Sequence, residues 1–220
     1  MSEHQHDHGA GEESQGHPGG TPDIQLSYRA KRSLAMQELL VEKGIIAPDD
    51  IQRSVESARA RSPSDGARVV ARAWVDPAFK QRLLDNALTA IAELGYDFVA
   101  DTGLVALENT DELHHVVVCT LCSCYPGALL GPPPDWYKSL AYRSRVVIEP
   151  RAVLREFGLE LESDIGVRVI DSTAEIRYLV LPGRPAGTEG MAEEQLAELV
   201  TRNSMIGVGV PRSPEPVAAG

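Results

Sequence analysis

The sequence lacks several features, and each absence narrows the class of protein. It has no run of about 18 uninterrupted apolar residues, which predicts that no segment crosses a membrane. It has no basic N-terminal region followed by an apolar one, so we expect no secretory signal and a cytoplasmic location. Basic residues are scarce, and the formal charge of −11 argues against a nucleic-acid partner.

Cysteine is absent from almost the whole chain. The three that exist, Cys119, Cys122 and Cys124, all lie in the stretch HHVVVCTLCSCYPG. Three clustered cysteines make a poor disulfide framework. In a reducing compartment, such a cluster indicates metal binding or catalysis.

The pattern of the sequence predicts four parts. Residues 1–22 are polar, rich in glycine and without periodicity, which predicts a disordered tail whose histidines could collect divalent cations loosely. Residues 23–96 predict a helical arm or subdomain. Residues 97–212 predict an α+β domain that contains the cysteines, and residues 213–220 predict a flexible C-terminus.

Helical spacing dominates the first half of the chain and strand-like alternation the second. The helices are predicted in SLAMQELLVEKG, which stops at Gly44, in APDDIQRSVESARAR, in DGARVVARAWV and in DPAFKQRLLDNALTAIAELG. Strands are predicted in FVADTGLVALEN, HHVVVCTL, GVRVIDS, AEIRYLVLP and IGVGVP. Between them we expect a proline-stiffened loop, GPPPDWYKS, and two helices, EPRAVLREFGL and MAEEQLAELVTRNSM. The fold class is therefore α+β.

The spacing C-x-x-C-x-C directly after a strand predicts a single chelating loop. The sulfurs of Cys119 and Cys122 can converge across a tight turn, with Cys124 two residues further on. A C-x-C pair that chelates one ion brings the amide nitrogens of Ser123 and Cys124 to the ion. Three sulfurs and two amide nitrogens then leave a sixth position free, which favours a trivalent octahedral iron or cobalt.

Other interpretations of the cysteines stay open at this point. A tetrahedral zinc site would need His114 or His115 as its fourth ligand, and neighbouring residues of a strand point to opposite faces. An iron–sulfur cluster would need a fourth thiolate. Redox-active or inert thiols account for neither the clustering nor the turn.

The stretch VCTLCSCYP resembles the metal-claw motif of the nitrile hydratase α subunit. DWYKSLAYRSRVVIEPRAVLREFGLEL, RVIDSTAEIRYLVLPGRPAGTEG and EEQLAELVTRNSMIGV also resemble that family, so that the likeness covers about residues 26–212. It implies a helical arm followed by a layered α/β/β/α-like catalytic domain. The γ subunit of thiocyanate hydrolase shares the claw.

The resemblance implies a metal and its chemistry. The ligands are Cys119, Cys122, Ser123 and Cys124, of which Cys122, Ser123 and Cys124 form the catalytic part. Thr120 implies cobalt(III) rather than iron(III), with adventitious zinc if the chain is misloaded. Cys122 becomes a sulfinic acid and Cys124 a sulfenic acid, while Cys119 stays a thiolate. The implied enzyme is a lyase that hydrates a nitrile, with water, hydroxide or the Cys124 sulfenate oxygen as nucleophile.

The resemblance also implies partners. Anionic oxidised sulfurs need cations, which in this family come from a β subunit or from split β-like subunits. The chain alone is then an incomplete site in a hetero-oligomer, and residues 23–96 embrace the β subunit. A cobalt-loading activator protein is a further implied partner.

Residues around the claw receive implied roles as well. Asp171, Glu175 and Arg177 resemble hydrogen-bonding residues behind the claw, although a surface ion pair is the simpler alternative. Tyr125 follows the claw and fixes its exit, or else packs as an ordinary loop residue. The family usually has a tryptophan where this chain has Gly127, and its loss predicts a roomier channel for a bulky, heteroaromatic nitrile.

Three alternatives to a nitrile hydratase remain open from the sequence. The first is the γ subunit of a thiocyanate hydrolase. The second is a non-catalytic cobalt-binding module. The third is a metal-free hydrolase with a nucleophilic cysteine.

Overall fold

The computed structural model describes residues 26–98 and 102–214, and these contain eleven helices and four strands. Predictions for residues 1–22 and for residues 215–220 therefore lie outside the described residues. The helices are α1 (Tyr28–Glu42), α2 (Asp50–Ala60), α3 (Pro63–Val75), α4 (Pro77–Asp85), α5 (Ala87–Glu93), α6 (Gly127–Leu130), α7 (Asp135–Lys138), α8 (Leu140–Arg145), α9 (Pro150–Glu156), α10 (Glu193–Leu199) and α11 (Arg202–Ile206). The strands are β1 (Gly103–Glu108), β2 (Leu113–Val118), β3 (Gly166–Asp171) and β4 (Ile176–Leu181).

The strands form two parallel pairs, β1 with β4 and β2 with β3. The two pairs contact each other through β2 and β4. Helices α4 and α5 cover β1 on one side, and α9 covers β3. Strand β2 is buried along nearly its whole length, which suits its three consecutive valines. The α+β class and its layered arrangement are confirmed.

The chain divides by compactness into the units Met1–Ile51 and Gln52–Gly220. In the first unit, α1 is capped by the Ser27 hydroxyl, which accepts from the amide of Ala30 at 3.2 Å, and α1 has no buried residue. In the second unit, α3, α4 and α5 share one core with the strands. The predicted limits of a helical arm at residues 23–96, and its role, remain predictions.

One helix predicted over residues 76–95 is in fact two, α4 and α5. The break lies at Asn86, whose backbone is extended, with φ of −151°. Its side chain accepts a hydrogen bond from the amide of Thr89 at 3.2 Å and caps α5. Asn86 therefore ends α4 and caps α5, instead of continuing a single helix.

The C-terminal segment departs from prediction in two places. Thr201 caps α11, so that MAEEQLAELVTRNSM forms the two helices α10 and α11 rather than one. The expected strand IGVGVP is not formed in the described residues. Gly207 ends α11 in the left-handed conformation, with φ of 86°, and its amide donates to the carbonyl of Asn203 at 2.9 Å. The proline-rich stretch before residue 139 likewise contains α7 rather than a loop alone.

None of the helices in the described ranges has the length and apolar character needed to cross a bilayer.

Gly207 provides a stability test because it combines a positive φ with close contact. A Cβ atom at Gly207 would lie 1.9 Å from the carbonyl oxygen of His115 on β2. At Gly158, φ is 81° but no atom lies within 4 Å of such a Cβ. We expect Gly158→Ala to lower the free energy of unfolding by about 1 kcal/mol and Gly207→Ala by at least about 3 kcal/mol. Urea unfolding of both variants measures this, and equal losses would refute the close packing of α11 on β2.

Candidate metal centre

The cysteine loop, residues 119–124 and called the claw here, begins where β2 ends. Parallel pairing sets Val118, the last residue of β2, beside Asp171, the last residue of β3. The Asp171 carboxylate accepts hydrogen bonds from the Thr120 amide at 2.9 Å and from its hydroxyl at 2.5 Å. The register of β2 and β3 therefore places a carboxylate at the base of the claw.

The three sulfurs converge. The Sγ atoms of Cys119 and Cys122 lie 3.4 Å apart, and those of Cys122 and Cys124 lie 3.2 Å apart. All three lie within 4.8 Å of one another, and the Cys122 amide donates to the Cys119 sulfur at 3.3 Å. Cys119 is buried, Cys124 is half-buried and Cys122 is exposed.

The thiols differ in acidity because their surroundings differ. Hydrogen bonds with the side chains of Cys124 and Cys119, together with the backbone amides of Ser123 and Cys124, lower the pKa of Cys122 to about 7. Burial, and hydrogen bonding with the two other sulfurs, raise the pKa of Cys124 to about 12, although the charge of Arg177 opposes this. The backbone amides of Ser123 and Cys124 thus stabilise the thiolate form of Cys122.

Arg143 on α8 holds the other side of the claw. Its Nε donates to the carbonyl of Cys119 at 3.0 Å, and its Nη2 donates to the carbonyl of Thr120 at 2.6 Å. A guanidinium fork suits two adjacent acceptors. Arg143 was assigned no role from the sequence. The only signal in the sequence was a second arginine, Arg145, two positions away in the same short helix.

Two buried tyrosines bind the backbone on either side of the claw. Tyr137 donates from its hydroxyl to the carbonyl of Cys124 at 2.8 Å. Tyr142 donates to the carbonyl of Val117 at 2.7 Å. The Tyr125 ring packs edge-on against Tyr137, with centroids 5.0 Å apart, and burial raises the pKa of its hydroxyl. These contacts attach the claw to a cluster of aromatic side chains.

Arg177 and Glu175 occupy different surroundings. Arg177 lies in β4, is half-buried, and donates to the carbonyls of Thr173 and Ala174, while its charge reaches Cys124. Glu175 lies in the bend before β4 and is exposed, so the two residues do not lie on one strand. The roles proposed for both behind the claw remain predictions.

The histidines of β2 do not join the claw, and both ring nitrogens of His114 bind other groups. The Nε2 of His114 donates to the carbonyl of Gly207 at 2.7 Å, and its Nδ1 accepts from the Asn109 side chain at 3.1 Å. Burial lowers the pKa of both His114 and His115. Within residues 26–98 and 102–214, no imidazole or carboxylate joins the three cysteines as a further ligand, so a tetrahedral zinc site lacks its fourth side chain.

A cavity of about 680 Å³ lies beside the claw. Its wall includes Tyr125, Gly127 and Ala128, which directly follow the last cysteine, and Arg177. No atom lies within 4 Å of a Cβ built on Gly127, so the space that a large side chain would fill is open.

The donor set fits a transition metal. Three sulfurs lie within 4.8 Å of one another, and soft thiolate ligands select such ions. The residues that would hold the ion are Cys119, Cys122, Ser123 and Cys124.

Comparison with known proteins gives the family context. Residues 27–209 match the family described as nitrile hydratase, alpha chain. The chain is 54% identical over 186 residues to the low-molecular weight cobalt-containing nitrile hydratase subunit alpha of Rhodococcus rhodochrous, covering 84% of this chain and 90% of that one. It is 43% identical over 190 residues to thiocyanate hydrolase subunit gamma of Thiobacillus thioparus, covering 81% and 78%. A double mutant of the Fe-type nitrile hydratase from Comamonas testosteroni Ni1 is similar in structure, with a TM-score of 0.76, 42% identity, and coverage of 86% of this chain and 95% of that one.

Replacing Arg143 tests its contact with the claw. Arg143→Met keeps an unbranched apolar stem but leaves the carbonyls of Cys119 and Thr120 without this donor. We expect cobalt to be retained at least about tenfold less well against a chelator, the usual loss when a group that orients metal ligands is removed. Arg151→Met is the matched control, because Arg151 also binds loop carbonyls, those of Leu161 and Glu162, away from the claw. Equal retention in both variants would remove Arg143 from the site.

Proposed function

Because the chain belongs to the nitrile hydratase α-chain family, we propose that it is the metal-carrying α subunit of a cobalt nitrile hydratase. The family resemblance drawn from the sequence is confirmed, and with it the assignment to a lyase that acts together with partner subunits. The observation that carries the proposal is the convergence of the three claw sulfurs within 4.8 Å. The reaction is hydration of an organic nitrile to its amide.

The residues proposed to bind cobalt are the sulfurs of Cys119, Cys122 and Cys124 and the amides of Ser123 and Cys124. Cobalt(III) bound there supplies Lewis acidity toward water and toward the nitrile nitrogen. The chain's own contribution is to hold these donors in place. Asp171 fixes Thr120, Arg143 fixes two carbonyls, and Tyr137 fixes the exit from the claw.

The proposed metal is cobalt rather than iron, on two grounds. The family resemblance links Thr120 with cobalt, and the relative from Rhodococcus rhodochrous is named as cobalt-containing. Against this stands the similar structure from Comamonas testosteroni Ni1, which is of the iron type. Cobalt is favoured because the link to Thr120 concerns a residue of the claw itself.

The proposed oxidation states follow exposure. Cys119 is buried and would stay a thiolate, whereas Cys122 is exposed and the more acidic thiol. Susceptibility to oxidation follows thiolate character and access, which supports a sulfinic acid at Cys122. A sulfenic acid at Cys124 rests on the family resemblance, as does its sulfenate oxygen as one candidate nucleophile.

The proposed partner is a β subunit, as one chain or as split β-like chains. In the unit Met1–Ile51, α1 carries Leu34, Met36 and Leu39 on its exposed surface and buries none of its residues. Exposed apolar side chains of this size favour contact with another protein surface. A cobalt-loading activator protein and a cytoplasmic location remain predictions.

A thiocyanate hydrolase γ subunit is the second candidate, because the relative from Thiobacillus thioparus is 43% identical. Identity and coverage favour the first candidate, at 54% and 90% of the relative. Amide release from nitriles, set against carbonyl sulfide release from thiocyanate, distinguishes the two activities in the assembled complex.

Metal analysis and intact mass of the co-expressed complex test the proposed centre. We expect about one cobalt per chain and a mass increase of about 48 Da, since a sulfinic and a sulfenic acid together add three oxygens. Cys122→Ser removes an oxidisable ligand and should lose both the metal and the added mass. Zinc in the assembled complex, with unmodified thiols, would contradict the proposal.

A substitution at Gly127 tests the proposed substrate size. An indole at Gly127→Trp would fill open space beside the claw, so we expect kcat/KM for a bicyclic heteroaromatic nitrile to fall at least about tenfold. The value for acrylonitrile should change less than about threefold. Gly127→Ala is the control, because its Cβ would meet no atom within 4 Å. A wild-type enzyme that prefers acrylonitrile, with the same preference in Gly127→Trp, would end the size argument.

A further inference from the structure

The cavity beside the claw has an unusual charge for this chain. Its lining includes three arginines, Arg59, Arg61 and Arg177, and among the residues that the structure describes no aspartate or glutamate lines it. The chain as a whole carries a formal charge of −11. Three arginines gathered along one cavity of an acidic protein give it a more positive local potential, which favours an anionic ligand.

Two of these arginines have no anionic partner among the residues that the structure describes. In the part of the chain that the structure describes, Arg59 and Arg61 make no ion pair and no side-chain hydrogen bond, whereas the other cavity arginine, Arg177, donates to backbone carbonyls. Arg61 is half-buried, so its charge is only partly hydrated. An unpaired guanidinium offers a fork of donors that matches a carboxylate or a phosphate.

The arginines also differ in what surrounds them. Arg177 influences Cys124 and belongs to the side of the cavity next to the claw. Arg59 lies in the last turn of α2, and Arg61 follows that helix. Apolar side chains, among them Phe98 and Pro132, complete the wall. The lining therefore combines a side next to the claw, an apolar surface, and two arginines without an anionic partner among the described residues.

We propose that the preferred substrate is a nitrile that carries an anionic group, a carboxylate or a phosphate, bound by Arg59 and Arg61. The inference rests on the proposed function, since the nitrile must reach the claw while the anionic group meets these arginines. The apolar wall takes the body of the molecule between its two ends.

Three matched nitriles test the inference with the complete complex: benzonitrile, 3-cyanobenzoate and 3-cyanophenyl phosphate. We expect kcat/KM for at least one anionic nitrile to exceed that for benzonitrile by about tenfold, mainly through a lower KM, because a hydrogen bond to a charged group has about this effect. Raising the salt concentration should reduce this advantage. Preference for the carboxylate or for the phosphate identifies which anion the site takes.

Variants locate the effect. The double variant Arg59→Gln and Arg61→Gln should bring the advantage of the anionic nitrile to within about threefold of benzonitrile. Arg155→Gln is the control, because this arginine is exposed on α9 and does not line the cavity, and it should leave the advantage intact. The preference for an anionic nitrile is measured on the wild-type complex, so the inference can be refuted even if a variant fails to fold.

Each remaining outcome has a defined meaning. Hydration of benzonitrile with no advantage for either anion overturns this inference and leaves the proposed function standing. No hydration of any nitrile by a cobalt-loaded complex overturns both. A double variant that no longer assembles with its partner subunit shows that the arginines bind that subunit, and this also overturns the inference.

Discussion

The parallel pairing of β2 with β3 is the constraint on which the rest of the centre depends. Register makes Val118 and Asp171 neighbours, and the Ser172 amide extends the ladder by donating to the carbonyl of Val118 at 2.7 Å. Both strands end at this point, so the chain must turn away from the sheet here. The carboxylate of Asp171 fixes this turn by accepting a hydrogen bond from the Thr120 amide. All three cysteines lie within the six residues 119–124.

A loop with three thiols would sample many conformations if only one end were fixed. In this chain, three side chains from a single neighbouring segment hold the remaining backbone: Tyr137, Tyr142 and Arg143. The two tyrosine rings pack against Trp136, and the ring of Tyr142 also packs against Phe157. Because these partners bind carbonyls rather than sulfurs, they orient the claw while leaving every thiol free to act as a ligand.

Local chemistry determines which features the sequence could reveal. The clustering of the cysteines after a run of valines was sufficient to predict a strand followed by a chelating loop, and Gly44 ends α1 as expected. Asn86 and Thr201 were missed because a polar residue within a helical pattern becomes a cap only when its neighbours can pack on both sides.

Arg143 was missed for a different reason. Arg145, two positions further along, pairs with Glu149 and Glu156 on the surface, and composition does not distinguish the two arginines. The packing of α8 beside the claw decides that Arg143 binds the claw backbone while Arg145 forms surface ion pairs. The strand expected in IGVGVP failed similarly, because the left-handed turn at Gly207 brings the chain against His115 instead of extending it.

The charges around the claw explain why such a chain works with partners. The hydrogen bonds that Arg143 and Arg177 make in this structure all go to backbone carbonyls, so neither guanidinium is bonded to a sulfur. In the proposed centre, three thiolates and two deprotonated amides would carry about five negative charges, and oxidation of two thiolates to a sulfinate and a sulfenate would leave that charge in place. Cobalt(III) would offset only part of this charge, and the exposed side of the claw, where Leu121 is 87% exposed, is open for further positive charge from another subunit. The fold thus provides the geometry of the centre within one chain while leaving its charge balance to be completed from outside.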